Sequence, residues 1–142
     1  MITAERYHDI SCGHRVVGHE NKCRFLHGHN YRITFILSSL ELDMVGRVLD
    51  FGVIKSLLCE WLETEWDHKM LIWEHDPMRT DLMKISPESV RLVPFNPTAE
   101  NMAKYLCEEI APDQLAGTGT VLVKCTVSET RKCSASYDIK SK

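Results

Sequence analysis

Residues 30–39, NYRITFILSS, place Tyr31, Ile33, Phe35 and Leu37 on one face and Arg32 and Thr34 on the other. A period of two in a run rich in β-branched and aromatic residues specifies a half-buried strand. His27-Gly28-His29 stands directly before it. In extended chain, residues two apart point to the same side, so both imidazoles aim at one point, and Gly28 removes a side chain from the opposite face. Upstream, residues 2–12 alternate weakly and read as a strand running into Cys12-Gly13-His14. An antiparallel neighbour of that kind brings His14 beside the pair. The intervening VVGHENKCR, residues 16–24, is polar and turn-like.

Downstream, ELDMVGRVLDF (41–51) carries a turn at Met44 to Arg47 and a short strand or extension after it, giving two antiparallel strands linked through this loop. At Phe51 the period changes. Val53, Ile54, Leu57, Leu58, Trp61 and Leu62 follow helical spacing, with Asp50 available as cap or first-turn anion, so a first helix is expected to about Glu65. PMRTDLMKISPESVRLVPFNP (77–97) has no sustained period and reads as a long excursion with a short strand around Val90 to Val93. A second helix follows, capped by Thr98, with Glu100 in its positive first turn and Ala99, Met102, Ala103, Leu106 and Ile110 on one face. Pro112 and Gly117 are expected to end it. TVLVKCTVSET (120–130) is a strand, and ASYDIKS (135–141) is a last one after a turn at Arg131 to Ser134.

The order of two strands, two helices and two strands predicts an α+β fold: a four-stranded antiparallel sheet with two helices on one face, in one domain over residues 1–142. Such a sheet has two open edges, which closure through a ring of subunits would cover.

Seventeen Lys and Arg against twenty Asp and Glu leave a formal charge of −3. No global field draws this chain to nucleic acid or to an anionic membrane, so an anionic substrate needs local cations. The opening MITAERYHDISCGH lacks a basic segment followed by an apolar core, and no apolar run reaches membrane-spanning length, so a cytoplasmic location is expected. The six cysteines lie far apart, and Cys59 and Cys107 fall at apolar positions, so most are read as reduced core residues.

Three neutral imidazoles, His14, His27 and His29, with a fourth position open make the donor set of a catalytic zinc site. An H-x-H pair alone is also a common solvated turn. Cys23, flanked by Lys22 and Arg24, has cationic neighbours that favour a thiolate nucleophile or base. As a fourth zinc ligand it would instead close a structural site, and spacing leaves both roles open. In Asp67-His68 a carboxylate can fix one imidazole tautomer for proton shuttling, although a histidine at a helix C-terminus can simply complement the dipole. Glu129, at a strand end, is either solvated or buried against a ligand's N–H donors. His8, His19 and His75 lack a comparable setting.

Taken together, SCGHR at His14, CRFLHGH from Cys23 to His29 with its following NY, GRVLDF (46–51), Asp67-His68, NPTAEN (96–101) and SET (128–130) resemble the 6-pyruvoyl-tetrahydropterin and 6-carboxy-tetrahydropterin synthase family over nearly the whole chain. The resemblance implies a tunnelling fold whose subunits pair into a larger β-barrel, commonly a homohexamer of two stacked trimers, with active sites between subunits. It implies Zn2+ on His14, His27 and His29, Cys23 as the proton-abstracting residue, His68 as relay with Asp67 behind it, and Glu129 holding the pterin. Thr98 and Thr130, in two of the shared motifs, are implied substrate contacts. The four-residue spacing of Cys23 and His27 is that of the carboxy-forming branch, which acts on 7,8-dihydroneopterin triphosphate in queuosine synthesis. The pyruvoyl-forming reaction and a non-catalytic zinc or pterin module are the alternatives. Arg15, Lys22 and Arg24 are candidates for the triphosphate. The chain departs from the family's DHxxLN run, reading DHKMLIW.

Overall fold

The computed structural model describes residues 1–139. Strands β1 (Thr3–His14) and β2 (His27–Ser39) form a long antiparallel pair, followed by β5 (Thr120–Ser128) and β6 (Ser134–Asp138), also antiparallel. Against the free edge of β1 lie two short parallel strands, β3 (Met70–Trp73) and β4 (Val90–Val93), so the sheet has six strands in the order β4-β3-β1-β2-β5-β6. This corrects the four-stranded expectation. The Val90 to Val93 strand was legible, but MLIW at 70–73 is a continuous short apolar run whose residues do not alternate, which periodicity cannot separate from helix. Gly13 admits the new edge: a Cβ there would meet Met70 Sδ at 2.7 Å and the His27 carbonyl at 3.2 Å. Of the predicted strand over 135–141, residues 140 and 141 lie outside the described residues.

Helix α1 comprises Phe51–Ile54, a wide π-helical turn Lys55–Cys59, and Glu60–Glu65. Helix α2, Arg79–Ile85, lies in the excursion and was not anticipated. Helix α3 comprises Ala99–Tyr105, a second π-helical turn Leu106–Ile110, and Ala111–Gln114. Pro112 therefore does not stop it; the widened turn just before the ring accommodates the missing N–H. The loop at 40–50 leads straight into α1; of the short strand or extension expected after Arg47, no strand forms.

The period-two reading of residues 30–39 holds, with Tyr31, Ile33, Phe35 and Leu37 all buried. They pack with Ile10, Cys12, Leu122, Cys125 and Val127 beneath Ile54, Leu58 and Leu62 of α1 and Met102, Ala103 and Leu106 of α3. A bulge opposite Ile36 and Leu37 lets Leu122 and Cys125, three residues apart, both face inward. All six cysteines are free thiols, four of them buried. No helix among the described residues is long and apolar enough to cross a membrane.

Candidate metal centre

His14 closes β1 and His27 opens β2, and the register sets them directly opposite each other, with Cys12 opposite His29. Alternation turns all three imidazoles to the helix-facing side of the sheet. Their ring centroids are 4.5, 5.2 and 4.9 Å apart, and one potential ligand atom from each lies within 4.8 Å of the others.

Two rings are held from behind. His14 Nδ1 is 2.6 Å from the Pro97 carbonyl and His27 Nδ1 is 2.7 Å from the Phe25 carbonyl. A carbonyl only accepts, so each Nδ1 carries the proton and Nε2 is left as the lone-pair donor. Nε2 of His14 and of His29 are buried without a hydrogen-bond partner among the described residues. Burial holds His14 at a pKa of about 4, against the Pro97 carbonyl and with help from His27 and His29. Burial likewise lowers His29, with Glu129 opposing and His27 assisting. Three clustered imidazoles, two of them oriented by main-chain carbonyls and two with a buried Nε2 that makes no hydrogen bond, are a donor set that a divalent transition metal satisfies.

The NPTAEN run explains how β1 ends where it does. The Asn96 amide grips both sides of Val17, accepting from its N–H at 3.0 Å and donating to its carbonyl at 2.9 Å. Asn101 donates to the Asn96 carbonyl at 2.9 Å, and the Thr98 hydroxyl accepts from the Asn101 N–H at 3.1 Å, capping α3. Chain just beyond His14 is thereby clamped to the start of α3, with Pro97 against the imidazole. This accounts for Thr98 as a cap.

Glu129 sits beside the histidines, its carboxylate 3.8 Å from His29 Nε2 and about one-quarter exposed at 24%. Its N–H donates to the Cys133 carbonyl at 3.1 Å, and Thr130 Oγ1 closes the same turn by accepting from Lys132 and Cys133 at 3.1 and 3.2 Å. Cys23 is half-buried in the single 3-10 turn Lys22–Arg24, and its carbonyl accepts from the Val16 N–H at 2.7 Å. The sequence places Tyr31 only on one face of β2, with Ile33, Phe35 and Leu37. Its ring stands edge-on to His29 and His14 at 5.4 and 5.8 Å, and its hydroxyl is buried with no partner among the described residues. Burial, then Cys12, Glu129 and Cys23, push its pKa up, so it stays a neutral donor. Its position two residues after His29 on the same face was the available signal.

Asp67 and His68 do pair, at 2.8 Å between Asp67 Oδ2 and His68 Nδ1. The Ser11 N–H donates to the other Asp67 oxygen at 2.9 Å, and the His68 N–H donates to the Ser11 carbonyl at 2.6 Å. Burial opposes ionisation of Asp67, but the Ser11 N–H and His68 outweigh it and lower its pKa. His68 holds φ at 59°, a left-handed conformation that costs a non-glycine residue energy and persists because these contacts over-determine it. Its ring is 81% exposed. It opens on a groove of about 880 Å3 lined also by Ser11, Asn30, Arg32, Thr130 and Arg131. The dyad is not part of the three-histidine cluster, although His68 and His29 both border a second groove of about 450 Å3. Arg15, a triphosphate candidate, is engaged with Asp76 at 2.7 Å, and Arg24 donates to the Glu20 and Asn21 carbonyls at 3.0 Å.

The sequence profile of 6-pyruvoyl tetrahydropterin synthase matches residues 3–140. A protein of Rickettsia felis named 6-carboxy-5,6,7,8-tetrahydropterin synthase is 34% identical over 134 residues, covering 94% of this chain and 97% of that relative. A protein of Aquifex aeolicus with the same name is 32% identical over 124 residues, 82% of this chain and 76% of its own length. Among solved structures, an uncharacterized protein from Wolinella succinogenes superposes with a TM-score of 0.86 at 23% identity over 98% of both chains. The 6-pyruvoyl tetrahydropterin synthase of Caenorhabditis elegans does so with a TM-score of 0.69 at 24% identity, covering 96% of this chain and 94% of its own.

Proposed function

Because the chain belongs to the 6-pyruvoyl tetrahydropterin synthase family, we propose that it is a zinc-dependent 6-carboxy-tetrahydropterin synthase. With water, it converts 7,8-dihydroneopterin triphosphate to 6-carboxy-5,6,7,8-tetrahydropterin, acetaldehyde and triphosphate in the cytoplasmic route to queuosine. The observation that carries this reading is the cluster of three imidazoles with the Glu129 carboxylate 3.8 Å from one of them. The four-residue spacing of Cys23 and His27 and the names of the relatives favour the carboxy-forming reaction.

His14, His27 and His29 would hold zinc, which supplies Lewis acidity toward the substrate's side-chain oxygens. Glu129 accepts from the pterin's N–H edge and orients the ring so that the labile side chain lies over the histidines. Cys23, as thiolate, takes a proton from that side chain. His68, its Nδ1–H held by Asp67, offers Nε2 to exchange protons between side-chain oxygens and solvent. The His68 ring is 81% exposed and stands outside the three-histidine cluster, so it is available to the cluster of a neighbouring copy; a hexamer built as two trimers around a closed β-barrel supplies such neighbours. Thr130, on the same groove as His68, is a substrate contact.

The test is to incubate zinc-loaded protein and its Cys23→Ala variant with 7,8-dihydroneopterin triphosphate and to identify the products by mass spectrometry. Carboxy-tetrahydropterin and acetaldehyde from the unaltered protein alone support the reading. A pyruvoyl product assigns the chain to the other reaction, and no turnover with zinc and pterin bound makes it a binding protein.

A further inference from the structure

The excursion between β3 and α3 reaches back to the start of the chain through a single buried carboxylate. Asp76 is 4% exposed. One of its oxygens accepts from the Met78 N–H at 2.8 Å and the other from Arg15 Nε at 2.7 Å. A carboxylate at this depth is tolerated only with its charge matched and its lone pairs filled. Arg15 matches the charge and fills one oxygen, and its fork has a second arm: Nη1 donates to Met78 Sδ at 2.8 Å and to the Arg24 carbonyl at 3.3 Å. One residue on, the Val16 N–H donates to the Cys23 carbonyl at 2.7 Å. The two residues after His14 thus hold the two carbonyls at Cys23 and Arg24, and only one of these bonds is made by a side chain that something else must aim.

We propose that Arg15 and Asp76 are positioning residues for Cys23. Asp76 fixes the guanidinium, the guanidinium fixes the carbonyl after Cys23, and the thiol is thereby set at a constant height relative to His14. This gives the excursion a task that its irregular sequence did not disclose. It also explains why an arginine is needed at residue 15, since a guanidinium presents several donors in a rigid plane and an ammonium is a point charge. The inference rests on the proposed role of Cys23 as proton acceptor, but its consequence for thiol accessibility is measurable without turnover.

The variants are Asp76→Asn, which removes the charge with little change of shape, and Arg15→Lys, which keeps the ion pair but not the second arm. Both are made in a Cys133→Ser background, leaving Cys23 as the one thiol that is not buried. Three quantities are read: bound zinc per chain, the rate at which iodoacetamide alkylates Cys23, and kcat against KM for 7,8-dihydroneopterin triphosphate. We expect zinc unchanged, alkylation faster by at least about threefold as the turn loosens, and kcat lower by about tenfold or more with KM within about twofold, since small misplacements of a reacting group are costly. Arg15→Lys should show the same pattern without losing the fold, because its buried pair survives. Unchanged alkylation and kcat with only a lower thermal midpoint would reduce the pair to a structural ion bridge and overturn the proposal. Loss of zinc in both variants would overturn it too, by placing the effect on His14. If the unaltered protein turns over no substrate, the proposed function fails by itself, and the alkylation rates still decide whether the pair positions Cys23.

Discussion

His14 and His27 are direct cross-strand partners in the β1–β2 ladder, with ring centroids 4.5 Å apart and each Nδ1 turned back onto a main-chain carbonyl. The site is therefore built into the sheet register itself. A slip of one residue would send these imidazoles to the other face.

Metal-free protein should lose stability in mild acid. His14 titrates at about 4 in the folded chain against an ordinary 6.5. The unfolded chain binds the extra proton first, so stability is complete above about pH 6.5 and falls as pH drops toward 4. The contribution of this residue is about 3 kcal/mol. Urea denaturation of apo protein across that range checks it, and His14→Gln should flatten the slope. Zinc should raise the midpoint near neutrality and lose that effect as the imidazoles protonate.

Asn96→Ala should weaken both fold and metal site. It removes two hydrogen bonds to Val17, one in each direction, and loosens the segment that holds Pro97 against His14. A loss of about 2–3 kcal/mol in stability is expected, together with a 10–100-fold loss of zinc affinity, as for other groups that orient ligands from behind. Competition with a chromophoric chelator measures the second.

Asp67→Asn and His68→Ala should each lower kcat by about two to four orders of magnitude while leaving zinc content unchanged, since neither residue is among the three clustered histidines. The double variant should be little worse than either single one. Mixing a His68→Ala chain with a Cys23→Ala chain should restore part of the activity if the two halves meet between copies. Mixed oligomers that stay inactive would place them in one chain.

Tyr31→Phe should raise the thermal midpoint of the apo protein. The hydroxyl is buried without a partner among the described residues, so its removal relieves a desolvation cost of about 1–3 kcal/mol without losing a bond. A lower midpoint would mean that the hydroxyl has an acceptor after all.

The sequence alone determined the parts whose physics is local. Period two in residues 30–39 specified β2, and the same alternation put His27 and His29 on one side. Helical spacing after Phe51 and the Thr98 cap marked the helices, although the widened turns that carry α3 through Pro112 have no sequence period of their own. What only tertiary structure decided were meetings between distant segments. The strand at Met70 pairs with the end of β1 at Gly13 and His14, where the Met70 side chain packs over the glycine. Tyr31 became part of the site rather than plain core because its ring lies against two histidines with its hydroxyl unanswered. Asp67 and His68 were legible as a pair, but their place in the fold was fixed by Ser11, 56 residues from Asp67, whose N–H and carbonyl hold both residues at the edge of β1. Periodicity orients side chains about their own backbone, whereas which backbone passes alongside depends on packing the whole chain at once.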